Sequence, residues 1–284
     1  MRINLFSFGV VKMKTLYISD LDGTLLNNNA EITEKSKKLL NEFISKDNYF
    51  SVATARTGAT VVQMLEGVDV NVPVVLMNGV ATYDIKTAKY VNIHTFSDNA
   101  KEKFFEAICS YGSPGFLYCI DEDNLSTFYE NTNSPNAEIF INEREKKFGK
   151  KFTKVNSYKD CQGNNVVYYS YSDIYEKLKP LYEKVKQIEG IRSEFYRDTY
   201  HPDFWYFEVC SESASKYNAV KWLKENYGFE KVVAFGDNLN DLPLFEASDE
   251  AYAVENAKED VKKHATAVIG RNTEDAVAEF LNNI

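Results

Sequence analysis

Asp20 and Asp22 stand one residue apart, directly after the short apolar, β-rich run Thr15 to Ile18 and just before the turn-forming pair Gly23-Thr24. A strand that ends in acid-x-acid and then turns places both carboxylates at its carboxyl end, where open α/β sheets bind ligands. Alternate residues of an extended chain point the same way, so the two acids can face one site. Side by side they repel, and both stay ionised only where a cation neutralises them; otherwise one keeps a proton. A hard divalent ion, a carboxylate nucleophile and a second carboxylate acting as general acid would use both outcomes. Taken alone, the same string is an ordinary strand running into an acidic turn.

The elements that must hold such a site follow in order. Thr33 to Lys46 puts Leu39, Leu40, Phe43 and Ile44 on one helical face, with Thr33 as N-cap. Tyr49 to Ala53 reads as a second strand running into Thr54-Ala55-Arg56-Thr57-Gly58, and Ala59 to Glu66 as a helix. Val72 to Met77 reads as a third strand, ending in Asn78-Gly79. Strand and helix alternating at this spacing predict a parallel sheet with right-handed crossovers, and each strand ends in polar residues.

The texture then changes. Ala81 to Phe96 alternates about Asp84-Ile85-Lys86-Thr87 as a hairpin does. Up to about Cys210 the chain is rich in Tyr and Phe, with strand candidates at Phe116 to Ile120, Leu125 to Tyr129, Val166 to Tyr171, Ser193 to Tyr196 and Trp205 to Val209. Helix candidates at Ala100 to Tyr111, Ala137 to Phe148 and Ile174 to Ile188 lie among them, which suggests an α+β insertion with its own core. From Ser215 the first pattern returns: Lys216 to Asn226 is helical, Lys231 to Phe235 is an apolar strand, and Gly236-Asp237-Asn238-Leu239-Asn240-Asp241 follows at its carboxyl end. Short strands (Ala251 to Val254, Ala267 to Ile269) and helices (Ala257 to His264, Thr273 to Asn282) complete it. The expectation is an α/β protein with a Rossmann-like parallel-sheet core, residues 13–83 and 211–284. An α+β domain, residues 84–210, interrupts it, and residues 1–12 form an N-terminal extension.

The totals exclude several classes. The formal charge is −9, from 42 acids against 33 bases, with no block of five like charges, so neither nucleic acid nor an anionic membrane is expected as partner. The four cysteines and three histidines are scattered, with no CxxC pair. That argues against a zinc knuckle, a disulfide framework or a histidine metal site, and it suits a reducing, cytoplasmic setting. No apolar run reaches the eighteen or more residues of a membrane span. Met1 to Lys12 has a short apolar stretch without a small-residue cleavage site.

Five elements therefore gather on one rim: Asp20/Asp22, Thr54/Arg56, Asn78, Lys216 and Asp237/Asp241. In this order and spacing they resemble the haloacid dehalogenase-like superfamily and, more narrowly, its Cof-type phosphatases, whose large α+β cap follows the third core strand. Asp20-Leu21-Asp22-Gly23-Thr24-Leu25-Leu26 matches the first family motif and Gly236 to Asp241 the fourth, and the resemblance runs from about Met13 onward. It implies that Asp20 is the nucleophile that becomes an aspartyl phosphate, and that Asp22 is the general acid and base. Asp20, the main-chain carbonyl of Asp22, Asp237 and Asp241 would serve a Mg2+ ion, Asp241 by binding it or orienting its waters. Thr54 matches the donor to the transferring phosphoryl group, Lys216 the cation that offsets its charge, and Arg56, Asn78 and Gly79 positions near phosphate and substrate.

The implied reaction is hydrolysis of a small phosphorylated metabolite such as a sugar phosphate. A phosphomutase or a non-enzymatic sugar-phosphate sensor would share the core, and monomer and dimer stay open. Two positions depart from the family pattern, Ala55 and Tyr217, where Gly is common, and both add bulk near the site. Tyr118, Tyr129, Tyr169, Trp205 and Tyr206 of the insertion either stack on a substrate ring or pack its core. Asp198 and His201 lie in a polar loop that stays outside the catalytic set.

Overall fold

The computed structural model describes residues 13–284 except 113, 135, 162 and 199–202, so the N-terminal extension and His201 lie outside the described residues. β1 (Thr15–Ser19) leads into α1 (Glu34–Ile44). Thr33 caps that helix as expected, its Oγ1 accepting the Ser36 N–H at 3.0 Å. The face that buries Leu40 and Phe43 packs on the sheet, the Phe43 ring meeting Tyr17 edge-on at 5.0 Å. β2 (Tyr49–Val52), α2 (Gly58–Met64), β3 (Val74–Leu76), β4 (Ala81–Asp84) and β5 (Lys89–Ile93) follow. The insertion then supplies α3 (Asp98–Cys109), β6 (Phe116–Asp121), β7 (Asn124–Tyr129), α4 (Ala137–Phe148), β8 (Phe152–Lys154), β9 (Val166–Asp173), α5 (Tyr175–Val185), β10 (Ile191–Arg197) and β11 (Trp205–Ser211). The chain ends with α6 (Lys216–Tyr227), β12 (Lys231–Gly236), α7 (Leu242–Glu246), β13 (Glu250–Val254), α8 (Glu259–Lys262), β14 (Ala267–Ile269) and α9 (Ala276–Asn282).

The core sheet has the order β14-β13-β12-β1-β2, and every pairing in it is parallel. β1 lies between β2, reached through α1, and β12, reached only after the whole insertion. The chain thus winds away from β1 in two directions, and a crevice opens at the carboxyl ends of β1 and β12. Expected as a third member of this sheet, β3 joins it only through a parallel bridge, Ala53 to Val75. Its other edge pairs antiparallel with β4, because the chain reverses through Met77, Asn78 and Gly79, all at positive φ. β4 in turn pairs with β5 in the expected hairpin.

The insertion forms a six-stranded sheet, β10-β11-β9-β6-β7-β8. β8 is a strand the sequence pattern misses: three residues, Phe-Thr-Lys, are too short to display a period of two. One face of this sheet packs Leu117, Tyr169, Phe207 and Val209 against Phe104, Phe105, Leu178 and Leu181 of α3 and α5. The opposite face carries Phe116, Tyr118 and Val167, which pack with Met77 and Val80 of the β3–β4 turn. So the second face is the one turned toward the core's strand ends. Tyr169 and Trp205 belong with the first face, and Tyr118 and Tyr129 with the second.

Candidate active site

The first and fourth motifs meet because β1 and β12 are neighbours. The Asp20 N–H donates to the Phe235 carbonyl at 2.9 Å, which continues the parallel ladder one residue beyond β1 and fixes the Asp20 backbone. Gly23, at φ +78°, lies so close to Asp237 that a Cβ there would stand 2.5 Å from Oδ2. A side chain is therefore excluded twice, by conformation and by space. Thr24 Oγ1 then donates to Asp237 Oδ1 at 3.0 Å, which ties the two motifs together.

Lys216 begins α6, whose N-cap Ser215 accepts the Asn218 N–H at 3.0 Å. Its Nζ donates to Asp20 Oδ1 and to Asp241 Oδ1, each at 2.6 Å. Asp241 Oδ2 accepts the N–H groups of Asp237 and Asn238, both at 3.0 Å. Both Asp241 oxygens are thus engaged within the protein, so this residue clamps the loop and Lys216. All three groups are inside the protein, with exposures of 1% for Lys216, 5% for Asp20 and 0% for Asp241. Burial and then the Asp241 carboxylate push the Asp20 pKa well up, against the pull of Lys216. Burial alone would lower the Lys216 pKa, but Asp20 and Asp241 outweigh it and hold it raised. Asp237, raised first by burial and then by Asp241, is pushed up to about 6.

One carboxylate oxygen from each of Asp20, Asp237 and Asp241 lies within 4.8 Å of the others. Three buried or half-buried acids share one ammonium, so the cluster is short of positive charge. Asp20 and Asp237 each keep an oxygen outside the contacts above. An all-oxygen set with few carboxylates fits a hard divalent cation.

Asp22 stands apart from this cluster through its side chain, which is 49% exposed. Arg56 grips it as a fork, Nε to Oδ2 at 2.7 Å and Nη2 to Oδ1 at 2.6 Å. Thr54, 1% exposed at the end of β2, accepts the Arg56 N–H on Oγ1 at 3.2 Å. Its N–H donates to the Val75 carbonyl, and its carbonyl accepts the Asn78 N–H, each at 2.9 Å, so the ends of β2 and β3 are laced together. Gly79 abuts the start of α6: a Cβ would fall 2.1 Å from the Ser215 oxygen and 2.8 Å from the Lys216 nitrogen. Asn78 Oδ1 accepts from Asn240 Nδ2 at 3.3 Å.

The eight residues singled out by spacing (Asp20, Asp22, Thr54, Arg56, Asn78, Lys216, Asp237 and Asp241), and Gly79, which the resemblance added, thus lie on one rim. Ala55 is exposed there, and Tyr217 is half-buried, with Lys221 Nζ 5.2 Å from its ring centre. Sequence reasoning missed Asn256, which follows β13. Its Nδ2 donates to the Gly23 carbonyl at 2.7 Å and its Oδ1 accepts the Asn272 N–H at 3.0 Å, so it pins the first motif's turn from beyond the end of β13, on the far side of β12 from β1. A polar residue just past a fourth parallel strand was its only signal. Among the described residues all four cysteines are free thiols, and no helix is long and apolar enough to cross a membrane.

The profile of the haloacid dehalogenase-like hydrolases matches residues 17–281. A 5-amino-6-(5-phospho-D-ribitylamino)uracil phosphatase of Bacillus subtilis is 26% identical over 96% of this chain and 98% of its own length. A pyridoxal phosphate phosphatase of Escherichia coli is 24% identical over 92% and 95%. A crystal structure of a protein from Thermotoga maritima superposes with a TM-score of 0.79 at 25% identity, covering 96% of this chain and 98% of that one.

Proposed function

The chain belongs to the haloacid dehalogenase-like hydrolases and is a Cof-type phosphatase, and on that footing we propose that it hydrolyses small phosphomonoesters such as sugar phosphates with Mg2+, through an aspartyl-phosphate intermediate. The observation that carries this reading is the buried Asp20–Lys216–Asp241 chain beside Asp237 at the carboxyl ends of two parallel strands. Asp20 and Asp237, with the Asp22 carbonyl, would hold the ion, and Asp241 would set their positions from behind. When bound, the ion supplies positive charge for the phosphate oxygens and the nucleophile.

The protein's own groups do the rest. Asp20 attacks phosphorus in line as the ester oxygen leaves, and its carboxylate needs positioning and charge screening more than intrinsic strength. Lys216 favours its ionised form against burial and aims it. The Thr54 hydroxyl, already an acceptor from Arg56, has its own proton free to donate to the phosphoryl group. Asp22 protonates the departing oxygen, then takes a proton from the water that attacks the phosphoenzyme, so alcohol and inorganic phosphate are released and Asp20 is regenerated. Arg56 offers phosphate the same fork it gives Asp22. Substrate that takes this fork frees Asp22 to reach the leaving oxygen. The insertion, taken as residues 84–210, acts as a cap that excludes water and contacts the leaving group.

Phosphate release from p-nitrophenyl phosphate and a panel of sugar phosphates, with Mg2+ and with EDTA, tests this. Release is expected only with the metal, and Asp20→Asn lowers it by about a thousandfold or more. The fold survives that change because the Lys216–Asp241 pair remains. Residual activity near a tenth of the parent's overturns the nucleophile assignment. An isomerised sugar phosphate with little free phosphate would mark a mutase instead.

A further inference from the structure

A cluster of charges in the cap takes no part in the chemistry above. β10, β11 and β9 are paired so that Arg192 lies opposite Cys210 and then Tyr168, and Glu194 opposite Glu208 and then Ser170. Strand alternation puts these side chains on the face away from α3 and α5, whose contacts are with Phe207, Val209, Tyr169 and Tyr171. Asn78 of the core rim and Tyr168, Arg192, Glu194, Glu208 and Cys210 of the cap line one small cavity. Asn78 itself is held in place by its neighbour Gly79, which is jammed against Ser215 and Lys216. The cavity therefore joins the cap to the rim.

Its polar groups are arranged but incompletely used. Arg192 pairs with Glu194 through Nη1 at 3.1 Å and reaches Cys210 Sγ through Nη2 at 3.4 Å. Its Nε is buried without a hydrogen-bond partner among the described residues. Glu208 accepts hydrogen bonds from the Tyr168 and Tyr196 hydroxyls, which fix its carboxyl in place. A buried donor left open costs free energy unless something completes it, and the missing partner here is an oxygen acceptor. Beside it stands a carboxyl able to accept further hydroxyl protons. Glu194 already offsets the one guanidinium, and burial pushes the Glu208 carboxyl up to about 7, so the cavity has no surplus of positive charge for a second phosphate or a carboxylate on the ligand.

We infer that Arg192 and Glu208, together with Asn78, form the subsite that grips the leaving group, and that they select neutral leaving groups carrying several hydroxyls over anionic ones. This rests on the phosphatase reading. Arg192 Nε donates to one hydroxyl oxygen of the leaving group while Glu208 accepts from a neighbouring hydroxyl.

The experiment compares kcat/KM for sorbitol 6-phosphate, for 6-phosphogluconate, which adds a carboxylate to a similar open-chain skeleton, and for p-nitrophenyl phosphate, in Mg2+. The parent is expected to prefer sorbitol 6-phosphate to 6-phosphogluconate by about tenfold or more, as a site built on hydrogen bonds discriminates. Glu208→Gln, which keeps the Arg192–Glu194 pair, and the double variant Arg192→Gln/Glu208→Gln should each lower the ratio of sorbitol 6-phosphate to p-nitrophenyl phosphate kcat/KM by about tenfold. The ratio divides out any general loss of folded enzyme. A ratio unchanged within about twofold in both variants, or a parent that takes 6-phosphogluconate equally well, overturns the subsite and leaves the phosphatase reading standing. No phosphate release by the parent from any of the three overturns the phosphatase reading and the subsite with it.

Discussion

Lys216→Met removes the one ammonium set among three carboxylates while keeping most of the side chain's bulk. Nζ lies 2.6 Å from both Asp20 Oδ1 and Asp241 Oδ1, and these three groups have almost no contact with solvent. Taking one partner from a buried pair leaves uncompensated charge and costs about 3–5 kcal/mol. In a chain of this size each kcal/mol moves the melting point by about 2–4 °C, so a fall of about 10 °C is expected in EDTA. A divalent ion replaces some of the lost charge, and a ligand at a hundred times its dissociation constant returns about 2.7 kcal/mol. The variant should therefore gain more from Mg2+ than the parent does, while turnover falls by about a hundredfold or more because Asp20 loses its counter-charge. Thermal melts of both proteins in EDTA and in a Mg2+ series, with phosphate release alongside, measure all three quantities. A drop of less than about 2 °C in EDTA, with equal Mg2+ responses in the two proteins, would mean that the ammonium does not hold the carboxylates and would refute the reasoning.

Two other expectations follow from the same geometry. Asp237 is raised from 3.8 to about 6 in the fold, so between those values the folded state binds more protons than the unfolded one. Metal-free stability from this group therefore falls as pH rises from about 4 to 6, by about 3 kcal/mol at most; melts of the parent minus those of Asp237→Asn in EDTA should show that decline, and Mg2+ should remove it. Gly79→Ala combines backbone strain of about 1–3 kcal/mol with about 1–3 kcal/mol of overpacking against Ser215. Gly112→Ala, also at positive φ but with nothing within 4 Å, carries only the first part. Urea unfolding and turnover should separate the two, with Gly79→Ala less stable and poorly active; equal losses would contradict the packing argument.

Much of this protein was legible in the order of its residues. Asp20-x-Asp22 and the Gly236 to Asp241 string carry their chemistry in residue type and local spacing, because the end of a strand and the turn after it are local structures. The Thr33 cap and the β4–β5 hairpin were readable for the same reason. Tertiary structure alone decided what those residues do to one another. Lys216 is an unremarkable helix start until the insertion is passed and α6 returns its Nζ between Asp20 and Asp241, 196 and 25 residues away along the chain. Only the fold shows that both Asp241 oxygens are engaged and that Arg56 holds the Asp22 carboxylate. Asn256 had no signal beyond its place after a parallel strand, and the gathering of Arg192 opposite Cys210 and Glu194 opposite Glu208 had none, since strand pairing alone brings these residues into place. Side-chain type and spacing determine which chemistry is available locally, whereas the sharing of one cation among buried acids depends on distances that only packing sets.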